Sequence, residues 1–296
     1  MSGKGNTMRE TTEKAYAKLN LSLDVNGRRE DGYHELTMLM QTVSLCDTLT
    51  LRFREDGKVS AGSNLRFIPG DERNLAVRAA LRFLEAVGDS GQGLQIELHK
   101  EIPVGAGMAG GSADAAAVLR ALNRMYGGPL SRTQLEELAQ KVGSDVAFCV
   151  AGGTSLARGR GEVLTDLRPM PDCVLVLCKP GFSISTPELF QKVDSAPVRV
   201  HPDTAGLLAA VEAEDLRALC RRMYNVFEDV EDRRLRAVAE IKGKLLDHRA
   251  LGAIMTGTGS AVFGVFEREE DAESACRALR KEYKFCRTAR PVARLL

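Results

Sequence analysis

With 296 residues, 44% of them apolar and 27% charged, the chain has the make-up of an ordinary globular protein long enough for two cores. Its 41 basic side chains stand against 40 acidic ones, which excludes the electrostatic footprint of a nucleic-acid or anionic-membrane binder. Seven scattered cysteines with no C-x-x-C pair or cysteine/histidine cluster, a polar start (MSGKGNTMRETT) and the lack of any long apolar span point to buried thiols in a cytoplasmic protein with a frayed N-terminus.

From Ala15 to Val25 the pattern alternates strictly, Ala15, Ala17, Leu19, Leu21, Leu23 and Val25 on one face and Tyr16, Lys18, Asn20, Ser22 and Asp24 on the other. A period of two predicts a half-buried strand with Lys18 and Asn20 side by side. Taken alone, Lys18 reads as a solvated strand lysine. The turn Asn26–Gly32 leads to Tyr33-His34, a second apolar run from Leu36 to Leu45 and a third strand from Thr48 to Phe53. Asn74 is placed to cap a helix running to about Val87, with Gly88 ending it. Leu94, Ile96 and Leu98 then alternate along a strand that delivers the chain into a glycine-rich run, and His99 reads as an exposed strand residue.

That run, Ile102 to Leu119, is IPVGAGMAGGSADAAAVL. Gly105, Gly107, Ala109, Gly110 and Gly111 carry little or no side chain, so backbone N–H groups can converge on an anion. Ser112 sits where an N-cap belongs, before the helix formers Ala113 to Leu119. A loop emptying into a helix N-terminus favours a nucleotide polyphosphate. Two other readings stand beside this one. Gly-Ala-Gly-Met-Ala-Gly satisfies the dinucleotide pattern, but Pro103 precedes it and no acidic strand end follows about twenty residues on. A flexible glycine turn before an alanine-rich helix is the plain alternative. No G-x-x-x-x-G-K-[ST] motif is present.

The helix from Ala113 stops at Gly127-Gly128-Pro129, and Ser131 to Gln134 is a capping-box pattern for a helix ending near Gly143. Asp145 opens the apolar stretch Val146–Cys149 and reads most simply as its cap. Glycine and arginine dominate from Arg158 to Gly161, and Arg168–Asp172 reads as a linker. In the second half a buried strand, Val174–Cys178, precedes helical patterns over Pro187–Val193, Thr204–Val211, Asp215–Phe227 and Val230–Asp247. Apolar runs Leu251–Met255 and Ala261–Phe266 flank a second glycine-rich turn, Thr256–Ser260. A helix near Glu269–Tyr283 and a strand near Phe285–Arg290 complete an order typical of a ferredoxin-like sandwich.

Three separated stretches, the lysine-bearing first strand, Pro103-Val-Gly-Ala-Gly-Met-Ala-Gly-Gly-Ser112 and the turn Thr256–Ser260, together resemble the GHMP small-molecule kinase family over nearly the whole chain. The resemblance implies an α+β, two-domain fold: a ribosomal protein S5 domain 2-like N-terminal domain over 8–168 and a ferredoxin-like C-terminal domain over 172–296. Ala15-Tyr-Ala-Lys-Leu-Asn-Leu-Ser-Leu-Asp-Val25 with Arg29-Glu-Asp-Gly-Tyr-His-Glu35 is similar to the branch that uses ATP to phosphorylate a cytidyl-diphosphate sugar alcohol on the non-mevalonate isoprenoid route.

For that branch the resemblance implies Lys18 and Asp145 as the catalytic pair, Asp145 as base toward the acceptor hydroxyl and Lys18 orienting it and compensating charge. Asn20, Tyr33, His34, Thr186 and Phe190 match substrate-binding positions, Tyr33 and Phe190 flanking the cytosine and His34 addressing its polar edge. Pro103, Val104, Gly105, Ala106, Gly107, Met108, Ala109, Gly110, Gly111, Ser112 and Ala113 match the ATP phosphate loop, with Ser112 the candidate contact to phosphate or Mg²⁺. Ala109, Met108 and Ala147 depart from the glycine, leucine and proline common in relatives. A GHMP kinase for another small alcohol and a catalytically silent nucleotide-binding sensor remain alternatives. The expected partners are small-molecule substrates, with no nucleic acid and no membrane, in a monomer or weak homodimer.

Overall fold

A computed structural model describes residues 9–195 and 198–296; the expected fraying concerns mostly residues 1–8, which lie outside that range. The first strand, β1 (Glu10–Arg28), runs antiparallel along β2 (His34–Arg54), so residues 10–12 belong to a ladder. The second and third strands expected from sequence are one 21-residue strand. Asp47 interrupts the apolar pattern without making a turn, because it stays in the ladder opposite Ala15 and is fully buried. β3 (Val59–Ser63) and β4 (Gly93–His99) extend the sheet on one side of β2, and the hairpin β5 (Thr154–Gly159) and β6 (Val163–Asp166) occupies the rest of that edge.

Helix α1 (Leu75–Ala86) begins where Asn74 Oδ1 accepts the Ala76 amide at 3.0 Å, and α3 (Arg132–Gln140) begins at the Ser131/Gln134 capping box. Between them α2 (Gly110–Met125) lies on β1, its run Ala113–Leu119 wholly buried. The sequence places Ser112 as the cap of α2; the structure places Ala109 there, in the left-handed region at φ 56° and without a side-chain cap. The short α4 (Val146–Ala151) follows. Every residue of β1 from Ala17 to Val25 is buried, so the strand is covered on both faces rather than one.

The second half contributes β7 (Val174–Lys179), α5 (Thr186–Ser195), α6 (Thr204–Glu212), α7 (Leu216–Arg222), β8 (Tyr224–Asn225), α8 (Leu235–Asp247), β9 (Gly252–Met255), β10 (Val262–Phe266), α9 (Glu269–Leu279) and β11 (Phe285–Ala289). Four of its strands form an antiparallel sheet in the order β11-β7-β10-β9, the ferredoxin-like arrangement. The helix expected over Asp215–Phe227 is broken at Met223, whose ψ of 128° is extended, and the next helix starts at Leu235 instead of Val230. Asn225 accounts for the break. Its buried amide donates to the carbonyls of Met255 and Gly257, both at 2.8 Å, and its Oδ1 accepts the Phe227 amide.

Two segments of this half return to the first half of the chain. β8 adds to the far edge of β1, in parallel, giving the order β3-β4-β2-β1-β8. Farther on, Val292 N–H bonds Thr42 C=O at 2.8 Å and Leu295 N–H bonds Ala151 C=O at 2.8 Å. The site forms where these two sheets meet along β1.

Candidate active site

The first intrahelical bond of α2 runs from Ala113 N–H to Ala109 C=O, 2.8 Å. A helix end of this kind leaves the preceding amides, of Gly110, Gly111 and Ser112, without intrahelical acceptors, and the helix dipole adds about half a positive charge there. The residues that carry these amides belong to the lining of a cavity of about 680 Å³, to which every residue from Pro103 to Ser112 contributes. Ala113, the last residue assigned to the loop from sequence, is buried in the helix instead.

The loop is held from both sides. Lys18 N–H donates to Met108 C=O at 3.2 Å, and Ala261 N–H to Ala106 C=O at 3.2 Å. Thr256 Oγ1 accepts the Asn20 amide at 3.0 Å and donates to Gly107 C=O at 3.3 Å. At Gly107, with φ of 76°, a Cβ would collide with the Thr256 carbonyl oxygen, so both handedness and space require glycine.

A further support escaped the sequence reading. Asp47, Lys100 and Asp114 form a buried triad in which Lys100 Nζ reaches Asp47 Oδ2 at 2.5 Å and also Asp114 Oδ2. Asp47 Oδ1 accepts the amides of Glu101 and Ile102, at 2.5 and 2.8 Å, just before the loop begins. The triad thus ties the loop's entry to the helix at its exit. One ammonium serves two carboxylates there, and burial pushes the Asp114 carboxyl up to about 7.

Lys18, whose backbone anchors the loop, is almost fully buried, which overturns its reading as a solvated lysine. Its Nζ donates to Asn20 Oδ1 at 2.6 Å and lies 3.6 Å from Asp145 Oδ2. Asp145 occupies the N-cap position of α4 yet makes no capping hydrogen bond, so capping is not what its carboxylate does. Lys18 and Asp145 line the same cavity as the glycine loop; Asn20 is wholly buried behind Lys18. A carboxylate and an ammonium facing an anion cradle can deprotonate and orient a hydroxyl beside a polyphosphate.

Thr186 and Phe190 of α5 also line this cavity, with Thr186 Oγ1 2.8 Å from Thr258 Oγ1 in the second glycine turn. The expected aromatic sandwich takes a different form. His34 itself stacks on Phe190, centroids 4.4 Å apart at 23°, and its Nε2 is 2.7 Å from Asp194 Oδ1. Tyr33 is 56% exposed, with the Arg160 guanidinium 4.7 Å over its ring. Neither Tyr33 nor His34 lines the main cavity; His34 lines an adjoining depression with Asp194 and His201.

The cavity is also lined by Ile68, Pro69, Arg73 and Asn74. Sequence reading saw only a helix cap in Asn74 and nothing in the other three, because a loop without periodicity carries no signal. Among the described residues, no group of three or more His, Cys, Asp or Glu is placed to hold a metal ion. The oxygens available, Ser112 hydroxyl and Asp145 carboxylate, are hard donors suited to a Mg²⁺ that takes most of its ligands from phosphates and water. All seven cysteines are free thiols, six of them buried, and burial pushes Cys149, Cys173 and Cys220 up to about 12, out of the reactive range. No described helix is long and apolar enough to cross a membrane.

Comparison with known proteins finds the GHMP kinases N terminal domain over residues 74–153 and the GHMP kinases C terminal domain over 207–284. The 4-diphosphocytidyl-2-C-methyl-D-erythritol kinase of Alkaliphilus metalliredigens is 42% identical over 277 residues, covering 94% of this chain and 95% of its own. Its counterpart in Syntrophomonas wolfei is 44% identical over 271 residues, covering 92% and 94%. A crystal structure of 4-(cytidine 5'-diphospho)-2C-methyl-D-erythritol kinase matches with a TM-score of 0.78 at 35% identity, covering 95% of this chain and 99% of that one. A homoserine kinase from Cytophaga hutchinsonii, 21% identical with a TM-score of 0.77 and covering 99% and 98%, shares the fold.

Proposed function

The chain belongs to the GHMP kinase family, among its 4-diphosphocytidyl-2-C-methyl-D-erythritol kinases, and from that membership we propose that it transfers the γ-phosphoryl group of ATP to the 2-hydroxyl of 4-diphosphocytidyl-2-C-methyl-D-erythritol. The products are the 2-phosphate and ADP, and the reaction is a step of the non-mevalonate route to isoprenoid precursors. The observation that carries the reading is the Lys18–Asp145 pair, 3.6 Å apart, facing the glycine loop and the open end of α2 across one cavity.

In this reading Asp145 accepts the proton of the attacking hydroxyl. Lys18 holds the carboxylate in place and offsets charge as the phosphoryl group moves. The amides of Gly110, Gly111 and Ser112 receive the phosphates. Mg²⁺, held by Ser112 Oγ and the phosphates themselves, would supply further neutralisation of the transferring group. Adenine fits the end lined by Ile68, Pro69 and Asn74, where apolar surface adjoins an amide. Phe190 offers a ring face to cytosine once the His34 imidazole yields it, with Tyr33 closing from the surface. The buried free thiols support a cytoplasmic setting, and we assign a monomer or weak homodimer.

The test is ADP release with Mg-ATP and the cytidyl substrate, run beside mevalonate, homoserine and cytidine-free methylerythritol phosphate. Turnover confined to the cytidyl substrate is expected. Turnover of another alcohol alone would discard the cytosine site and keep the phosphate loop; none with any would leave a nucleotide-binding sensor.

A further inference from the structure

Among the described residues, four cations line the cavity: Lys18, Arg73, Lys100 and Arg160. Three are committed to close partners. Lys18 bonds Asn20 beside Asp145, Lys100 lies between Asp47 and Asp114, and Arg73 forks onto Asp71 at 2.8 to 3.2 Å. The Arg160 guanidinium is different. Its nearest carboxylate oxygen, on Glu162, is 3.9 Å from Nε, and that carboxylate already accepts the Arg160 amide at 2.6 Å.

Arg160 also has a defined place between the two ends of the acceptor site. On one side its guanidinium covers the Tyr33 ring. On the other its backbone runs into Gly161, where an added Cβ would lie 3.9 Å from Asp145 Oδ1. The β5–β6 turn that carries Arg160 is tied to the turn that carries Tyr33. Glu35 Oε1 accepts the Gly159 amide at 3.0 Å while Glu35 Oε2 accepts from Arg29 Nη1 at 2.7 Å, and Arg29 N–H donates to Tyr33 C=O at 2.7 Å. A planar cation fixed by stacking, whose N–H fork makes no hydrogen bond to a described residue, is suited to bidentate binding of phosphate oxygens.

We propose that Arg160 is a specificity-determining residue that binds the diphosphate of the acceptor, distinct from the ATP phosphates held at the glycine loop. The assignment rests on the reading of the acceptor as a cytidyl diphosphate. A molecule whose base lies at Tyr33 and Phe190 and whose hydroxyl lies at Asp145 carries its two phosphates past Arg160. The guanidinium then does two things at once: it pairs with the diphosphate and it holds the Tyr33 ring that closes on the base.

The test compares CDP with cytidine, binding measured by calorimetry with the glycine loop saturated by a non-hydrolysable ATP analogue. In the wild type CDP is expected to bind at least about tenfold more tightly than cytidine, the size of a charge-assisted contact. Arg160→Gln should bring the two ligands close to parity, and Arg160→Lys should restore part of the preference. KM for the cytidyl substrate should rise about tenfold in Arg160→Gln with KM for ATP little changed. A CDP preference that survives in Arg160→Gln, or one absent from the wild type, overturns the assignment. Wild-type turnover of the cytidyl substrate, measured separately, tells failure of this inference from failure of the kinase reading.

Discussion

Asp145 stands at the head of α4 with its carboxylate turned away from the helix amides and toward the Lys18 ammonium, 3.6 Å off. A cap would satisfy the helix; this carboxylate satisfies the cavity. Asp145→Asn keeps the shape and, on the proposed mechanism, removes the acceptor of the proton. Turnover should fall by about 10²–10⁴-fold while ATP affinity stays near the wild-type value, as single-turnover and equilibrium binding measurements would show. Undiminished turnover would remove Asp145 from the role of base.

Tyr33→Ala takes away the platform under Arg160 and, in the proposed binding mode, one stacking face for the base. Affinity for the cytidyl substrate should drop by about 1–3 kcal/mol, read as a rise in KM, with KM for ATP unchanged. An equal loss for both substrates would place Tyr33 elsewhere in the mechanism.

Asp114 makes stability depend on pH. The folded chain holds its carboxyl up near 7 by burial, whereas the unfolded chain releases that proton at the ordinary 3.8. Folding therefore takes up a proton between about pH 4 and pH 7, and this group's contribution is full below that interval and lost as pH rises through it. Asp114→Asn leaves Asp47 and Lys100 as a neutral pair. Urea titrations from pH 5 to pH 8 should show the variant gaining on the wild type as pH rises; parallel curves would deny the shift.

Ala109 caps α2 in a left-handed conformation that costs an L-residue about 1–2 kcal/mol. Ala109→Gly should recover about 1 kcal/mol and raise Tm by about 2–4 °C. A lower Tm would mean the methyl, packed against the core, contributes more than the strain removes.

Much of this architecture is legible in the chain. The alternation through Ala15–Val25, the Asn74 cap and the Ser131 capping box each express a local rule, and each element appears where its rule places it. Elements set by distant partners are not legible. The pair β5 and β6 was hidden by the Arg158–Gly161 composition, and β8 exists because Asn225 bonds carbonyls 30 and 32 residues away. Ser112 carries a capping residue's chemistry, but the turn at Ala109 starts the helix one turn earlier. The Asp47–Lys100–Asp114 triad joins residues separated by 53 and 14 positions, and a lone buried aspartate in a strand gives no sign of its partner.

The lack of room for even one methyl group between Gly107 and Thr256 bears on how spent nucleotide departs. The glycine loop and the turn after β9 are in touch there backbone to backbone, so a swing that opened the two halves at this point would break the loop's own support. On the proposed reading, release of ADP falls to smaller parts at the rim, such as the segment of Ile68, Pro69 and Arg73 that lines the nucleotide's side of the cavity, rather than to the seam beneath.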